Sequence, residues 1–450
     1  MSLLLEQLLD AGFSDSDARS RAALIVSVEE AFKARIGQPP RWRFWVPGRV
    51  EFFGKHTDYA GGRSLIAAVP KGFAVAAAAR SDDLVRVIDT RRNVEAAIDA
   101  SDRTRTHHGW TTYAATVVRR LALNFPGARL GTDVVVASDL PSAAGLSSSS
   151  ALIVGLALAL KERAGLEKRP EWARNLPGAT ALAGYLGALE AGASFGDLQG
   201  SSGVGTHGGS EDHTAILTGR PGMLGAYRYV PVCHLRDVAM PAAWSSVIAP
   251  SGVHADKIGS ARGRFNRASA AARALLDVWE RTSGRPATSL AAALASAPDA
   301  RARLASAISV TSVPEFSGDD LQRRLEHFVR EDARVDAAVR AFDAADAAGL
   351  GTLSQASQAD AETLLGNQVP ATIDLVAAAR EAGALAATSF GAGFGGSAWA
   401  IVAAEDVRRF GPAWLARYRA RQPHVSGVAW FEARPSPSAR EIARKGTRDS

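Results

Sequence analysis

Residues 139–152 read DLPSAAGLSSSSAL, and this stretch restricts the fold more than any other part of the chain. It follows LGTDVVVAS at 130–138, where Val134, Val135 and Val136 have the β-branched character of a buried strand. It leads into an Ala-, Leu- and Val-rich run over 151–161 that suits a helix. A strand, a loop of small residues and a helix in that order gather free backbone N–H groups at the positive end of the helix dipole. Phosphate is the natural ligand of such a place. The four serines from Ser147 to Ser150 add hydroxyls able to bind phosphate oxygens or Mg²⁺. The same residues could simply cap a buried helix, because serine is a common N-cap.

A chain of 450 residues is long enough for two or three domains. With 47% hydrophobic and 22% charged residues it is globular, and disordered or collagen-like classes are excluded. Ser14 heads an N-cap pattern with Asp15 and Asp17 behind it, so a helix is expected from there to Gly37. Aromatic and β-branched residues over 41–47 predict a strand that stops at Pro47-Gly48. Further strands are expected at 64–80, 83–89, 223–232, 246–250, 385–389 and 398–402. Helices are expected at 171–191, 260–282, 288–307, 318–347 and 353–381, with Pro370 as a start or kink. Residues 194–210 hold six glycines in seventeen and read as a loop. The turn Gly219-Arg220-Pro221-Gly222 predicts a division into an N-terminal domain (1–220) and a C-terminal domain (221–434). The polar segment 435–450 is expected to be a mobile tail.

Two more glycine-rich stretches stand out: PGRVEFFGKHTDYAGG at 47–62 and TSFGAGFGGSAW at 388–399. The second of these, with Gly391, Gly393, Gly395 and Gly396, lets the backbone approach a partner closely or pack as a tight hairpin. A third run, Gly203-Val-Gly205-Thr-His-Gly208, has dinucleotide-fingerprint spacing but follows no strand, so that reading fails. No Walker or protein-kinase motif is present. The single Cys233 cannot form an internal disulfide, and no Cys/His spacing suggests zinc. The net charge of +6 comes without a basic, aromatic-interleaved patch, so no nucleic-acid partner is expected. The N-terminus carries Glu6 and Asp10 and lacks a signal peptide's basic region, and no apolar run could span a bilayer, so a cytoplasmic protein with no membrane partner is expected.

Taken in order, the three stretches resemble the GHMP kinase superfamily, and within it the galactokinase branch. Gly48-Arg49-Val50, Gly54, His56-Thr57-Asp58-Tyr59 and Gly61-Gly62 match its first signature, Gly145 to Ser149 the second and Gly391 to Gly396 the third. The resemblance spans about residues 22–436. It implies an α+β, two-domain fold: an N-terminal half like ribosomal-protein S5 domain 2 and a ferredoxin-like C-terminal half, with the active site in the cleft. It also implies ATP-dependent phosphorylation of a monosaccharide at its anomeric hydroxyl, with ATP and Mg²⁺ as cofactors.

The resemblance also assigns residues. Gly145, Leu146, Ser147, Ser148 and Ser149 would cradle ATP phosphates together with Gly393. Ser149 and Glu190 would hold Mg²⁺. Asp212 would receive or orient the sugar hydroxyl's proton, and Arg49 would pair with it and stabilise the transferring phosphoryl group. His56, Asp58, Gly209, Phe265 and Lys55 would line the sugar pocket. Several positions depart from the galactokinase pattern: Glu51 stands for Asn, Lys55 for Glu, Glu211 for Met and His213 for Gln, and Phe265 for a sugar-contacting Tyr. Lys55 either pairs with Glu51 or binds an anionic sugar such as galacturonate. The alternatives are therefore a kinase for another sugar, or a catalytically silent sugar sensor. The oligomeric state stays open.

Overall fold

The computed structural model describes residues 3–102, 105–142, 144–253 and 262–443. The expected N-cap is in place: Ser14 accepts the Asp17 N–H at 3.2 Å, and the helix Asp15–Ile36 ends at Gly37 in the left-handed conformation. β1 (Trp42–Phe53), β2 (Arg63–Ala79), β3 (Leu84–Asp89), β4 (Val94–Asp99) and β5 (Thr132–Ser138) follow. They form a sheet in the order β1-β2-β5-β3-β4, antiparallel throughout except for the parallel β3/β5 pair.

Both faces of this sheet are covered, which explains the near-continuous burial of β1 and β2. The helix Ser148–Ala164 packs against β1 and β2, and the Asp15–Ile36 helix covers the other face through Ile25, Val28 and Phe32 against Trp45, Ala76 and Val135. β1 does not stop at Pro47-Gly48 as expected. It runs on to Phe53 past a register shift between Pro47 and Arg49, where a residue without an N–H donor is tolerated.

The expected division at 219–222 falls inside the first sheet. β6 (Met223–Arg228) pairs with β2, and β7 (Cys233–Ala239) pairs with β6. The turn signal was real, but it opens a hairpin rather than a linker. The second sheet begins only at β8 (Trp244–Pro250). It adds β9 (Ala386–Phe390), β10 (Ser397–Ala403) and β11 (Phe431–Glu432) in the antiparallel order β11-β8-β10-β9. With helices Pro370–Glu381 and Val407–Arg421 on one face this is the ferredoxin-like arrangement, and Pro370 starts its helix. The opposite face sends Trp399 onto Phe52 and Phe53, joining the two sheets in one core.

The helices Arg262–Ser283, Leu290–Ala295, Ala300–Val310 and Gly318–Asp343 form a separate cluster that closes over Tyr59 and Ala60. The expected mobile tail is another correction. Ser436 bridges to Ala68, and β12 (Arg440–Glu441) pairs with β1 as far as the described residues extend. No helix among the described residues is long and apolar enough to cross a membrane.

Candidate active site

Arg49 is the residue around which the site assembles. Gly48 allows this: a Cβ there would lie 2.7 Å from the Leu146 carbonyl oxygen, so only glycine lets β1 pass under the 139–147 loop. The Arg49 N–H then donates to that carbonyl at 3.3 Å, its Nη1 donates to the Gly145 carbonyl at 2.6 Å, and its Nε donates to Asp212 Oδ1 at 2.6 Å. Burial alone would weaken the guanidinium's hold on its proton. The carboxylates of Asp212, Glu211 and Glu51 outweigh that and keep Arg49 above its ordinary value. One buried cation therefore links the serine-rich loop to the carboxylate on the first turn of the helix Glu211–Thr218.

That loop has the makings of an anion site. Ser147 stands before the Ser148–Ala164 helix in the left-handed conformation, and no side chain caps the helix. Among the described residues its buried Oγ has no hydrogen-bond partner, although a buried hydroxyl ordinarily finds one. The hydroxyl that reaches the carboxylates belongs to Ser150, not Ser149. Ser150 Oγ lies 3.3 Å from both Glu190 Oε2 and Asp212 Oδ2. Successive helical positions point about 100° apart, so a one-residue difference in register decides which serine faces the site. Glu190, near the end of the helix Ala179–Ala191, also lies 3.4 Å from His213 Nε2.

A cavity opens beside Arg49 and Asp212, lined in part by His56, Asp58, Gly209, Phe265 and Gly391. His56 is fixed on both nitrogens: Nε2 lies 3.3 Å from the Ala392 carbonyl, which can only accept, and Nδ1 lies 2.9 Å from the Tyr59 hydroxyl. Burial raises the Tyr59 phenol to about 12, so it remains a donor to Nδ1 at neutral pH. From the helix Gly318–Asp343, Arg324 donates to the His56 carbonyl at 2.6 Å and to Tyr59 Oη at 3.1 Å. Asp58 Oδ2 accepts the Glu211 N–H at 3.1 Å, and a Cβ at Gly209 would come within 2.2 Å of the same oxygen.

Two expected site residues lie elsewhere. Lys55 is buried and turned away from the cavity, and its Nζ donates to Ser357 Oγ at 2.6 Å and Thr388 Oγ1 at 3.1 Å. Ser357 in turn donates to Glu331 at 2.9 Å, so Lys55 answers an interior charge and offers nothing to an anionic sugar. Gly393 is pressed against Asn367, whose carbonyl oxygen would sit 2.4 Å from an added Cβ; Gly391 is the member of that stretch beside Arg49.

Glu51, Glu211 and Tyr59 also line the cavity, although no motif assigns them a substrate role. The first two formed a signal only as departures from the galactokinase pattern. Burial, acting against Lys55 and Arg49, pushes the Glu51 carboxyl up to about 7, and Glu211 is also raised well above its ordinary value, chiefly by burial with Glu51 and Asp58 adding to it. A carboxyl raised on folding contributes stability that is present below its unfolded value of 4.5 and lost as pH rises through about 7. For Glu51 that is roughly 3 kcal/mol. The denaturation midpoint should therefore fall between about pH 5 and about pH 8, and Glu51→Gln should flatten that fall. An equally steep fall in the variant would assign the proton elsewhere.

Comparisons with known proteins agree with this geometry. Residues 30–79 match the galactokinase galactose-binding signature, 112–193 the N-terminal domain of GHMP kinases and 338–418 their C-terminal domain. The chain is 29% identical over 407 residues to the galactokinase of Chloroflexus aggregans, covering 88% of itself and 92% of that protein. It is likewise 29% identical over 431 residues to the galactokinase of Streptomyces coelicolor, covering 93% and 99%. The Lactococcus lactis galactokinase complexed with galactose shares the fold at a TM-score of 0.72 and 21% identity, over 92% of this chain and 99% of that one. The Methanococcus jannaschii mevalonate kinase does so at 0.55 and 13%, over 87% and 98%. The chain belongs to the GHMP kinase superfamily. Within it, the first signature and the full-length relatives place it with the galactokinase-like sugar kinases.

Proposed function

We propose that this protein transfers the γ-phosphoryl group of ATP to the anomeric hydroxyl of a monosaccharide, as a galactokinase does, and that Asp212 and Arg49 carry the chemistry. The supporting observation is the 2.6 Å contact between Arg49 Nε and Asp212, made by an arginine that also holds the Gly145 carbonyl of the serine-rich loop. One guanidinium thereby sets the distance between the phosphate cradle and the carboxylate that faces the cavity.

In this reading Asp58 orients the sugar, with the ring of His56, Phe265 and Gly209 lining the pocket beside it. Asp212 receives the hydroxyl proton as the sugar oxygen bonds to the γ-phosphorus and the bond to the departing ADP breaks. Arg49 stabilises the charge spread over the phosphoryl oxygens from a buried position where it cannot be solvated away. The free Ser147 hydroxyl and the uncapped N–H groups of the following helix receive the remaining phosphates. The oxygens of Glu190 and Ser150 suit Mg²⁺, which keeps several of its ligands from water and phosphates. When bound, Mg²⁺ would neutralise phosphate charge.

Galacturonate is a poor candidate once Lys55 is seen to lie behind the pocket. Purified protein should release ADP from ATP and a neutral hexose such as galactose, and phosphorus NMR should show a sugar 1-phosphate. Absence of ADP release across a hexose panel would overturn the reading.

A further inference from the structure

Arg324, on the helix Gly318–Asp343, is a buried cation that hydrogen-bonds only to neutral groups among the described residues. It is 3% exposed. Its Nε donates to the Ala268 carbonyl at 3.2 Å and its Nη1 to His327 Nδ1 at 3.2 Å. Its Nη2 serves both the His56 carbonyl and Tyr59 Oη. Burial, with Arg324 adding to it, holds the His327 ring well below its ordinary value, so Nδ1 there accepts. Burying a guanidinium with no carboxylate bonded to it costs stability, so packing alone does not account for this residue.

What those bonds reach is the wall of the sugar cavity. His56 has a left-handed backbone, with φ at 57°, a conformation uncommon outside glycine, and Arg324 grips its carbonyl. Ala268 shares a helix with Phe265, whose ring meets the His56 ring at 5.8 Å. The contact with Tyr59 sets an order of protons. A guanidinium only donates, so Tyr59 Oη accepts from Nη2 and its own O–H is left for His56 Nδ1 at 2.9 Å. Nδ1 is then the acceptor, and the ring carries its proton on Nε2, 3.3 Å from the Ala392 carbonyl. Ala392 follows Gly391, which packs beside Arg49.

We propose that Arg324 is a positioning residue for the sugar: through Tyr59 it fixes His56 with the proton on Nε2, and through two backbone carbonyls it holds the His56 and Phe265 rings in place. The inference rests on the sugar-kinase reading of this cavity for the identity of the ligand. Arg324 is not among the cavity's described lining residues, so it acts through its neighbours.

The tautomer can be read without substrate, by nitrogen NMR of the full chain labelled at histidine, with the His56 signal identified by its loss in His56→Gln. The native ring should be protonated at Nε2. Tyr59→Phe removes a single oxygen and should move the ring toward a mixture of tautomers. In calorimetric titrations it should weaken galactose binding about tenfold and leave ADP binding unchanged. Arg324→Met should weaken galactose binding at least as much. Arg324→Lys should restore only part of it, because a point-charge ammonium cannot reproduce the planar fork. A native ring protonated at Nδ1 would overturn the inference, as would folded Tyr59→Phe and Arg324→Lys proteins with native galactose affinity. So would ADP affinity lost in step with galactose affinity, which would mark Arg324 as a general structural prop. If the native chain binds no galactose, the sugar-kinase reading falls, and the tautomer in Tyr59→Phe and Arg324→Lys decides this inference alone.

Discussion

Asp212→Asn is expected to lower kcat by roughly a thousandfold with little change in nucleotide affinity. Asparagine keeps the side chain's size, and its carbonyl oxygen can still accept from Arg49 Nε, which donates to Asp212 Oδ1 at 2.6 Å. The fold and the loop contacts are therefore retained, because Arg49 also keeps its bond to the Gly145 carbonyl. What disappears is an acceptor for the sugar proton, together with one negative charge beside Glu190 and Ser150. A coupled ADP-release assay gives kcat, and titration with a fluorescent nucleotide gives affinity. Turnover close to wild type would remove Asp212 from the reaction. A large loss of nucleotide affinity would instead make it part of the phosphate site.

Features set by neighbours in sequence were the ones that could be read in advance. The valines of β5, the small-residue loop and the helix beyond it form one local unit, and pattern alone located it. The contact between Arg49 and Asp212 joins residues 163 apart in sequence, and no periodicity encodes such a pairing; it was reachable only through the order of the three glycine-rich motifs. Ser149 and Ser150 differ by one step of a helix whose start the sequence leaves loose. The β6–β7 hairpin looked like the opening of a second domain because a turn signal does not say which strand its hairpin will join. Arg440–Glu441 reads as polar tail for a similar reason: a two-residue charged edge strand carries no hydrophobic alternation.

Lys55 shows most clearly how a site residue can be misplaced. Motif position put it at the sugar, but the chain leaves regular strand geometry after Phe53, and there alternation no longer tells which way a side chain points. In the structure Glu331 accepts from the Gly54 N–H at 3.1 Å, the Lys55 N–H at 3.3 Å, Ser357 Oγ at 2.9 Å and Arg334 Nη1 at 2.8 Å. Burial tends to raise the Glu331 carboxyl, but Lys55 and Arg334 bring it below its ordinary value. Burial also lowers the Lys55 ammonium, against the pull of Glu331 and Glu51.

Lys55→Met fills similar space and removes the charge, leaving Glu331 short of a cation and the Ser357 and Thr388 hydroxyls to re-pair. The expected cost is about 3 kcal/mol of stability, read as a lower denaturation midpoint. The sugar KM of the folded fraction should change little, because Nζ does not reach the cavity. Pairing Lys55→Met with Glu331→Gln should recover part of the loss, since the two residues act on one buried charge. A Lys55→Met protein of normal stability with sugar affinity reduced about tenfold would return the ammonium to the substrate and reverse this assignment.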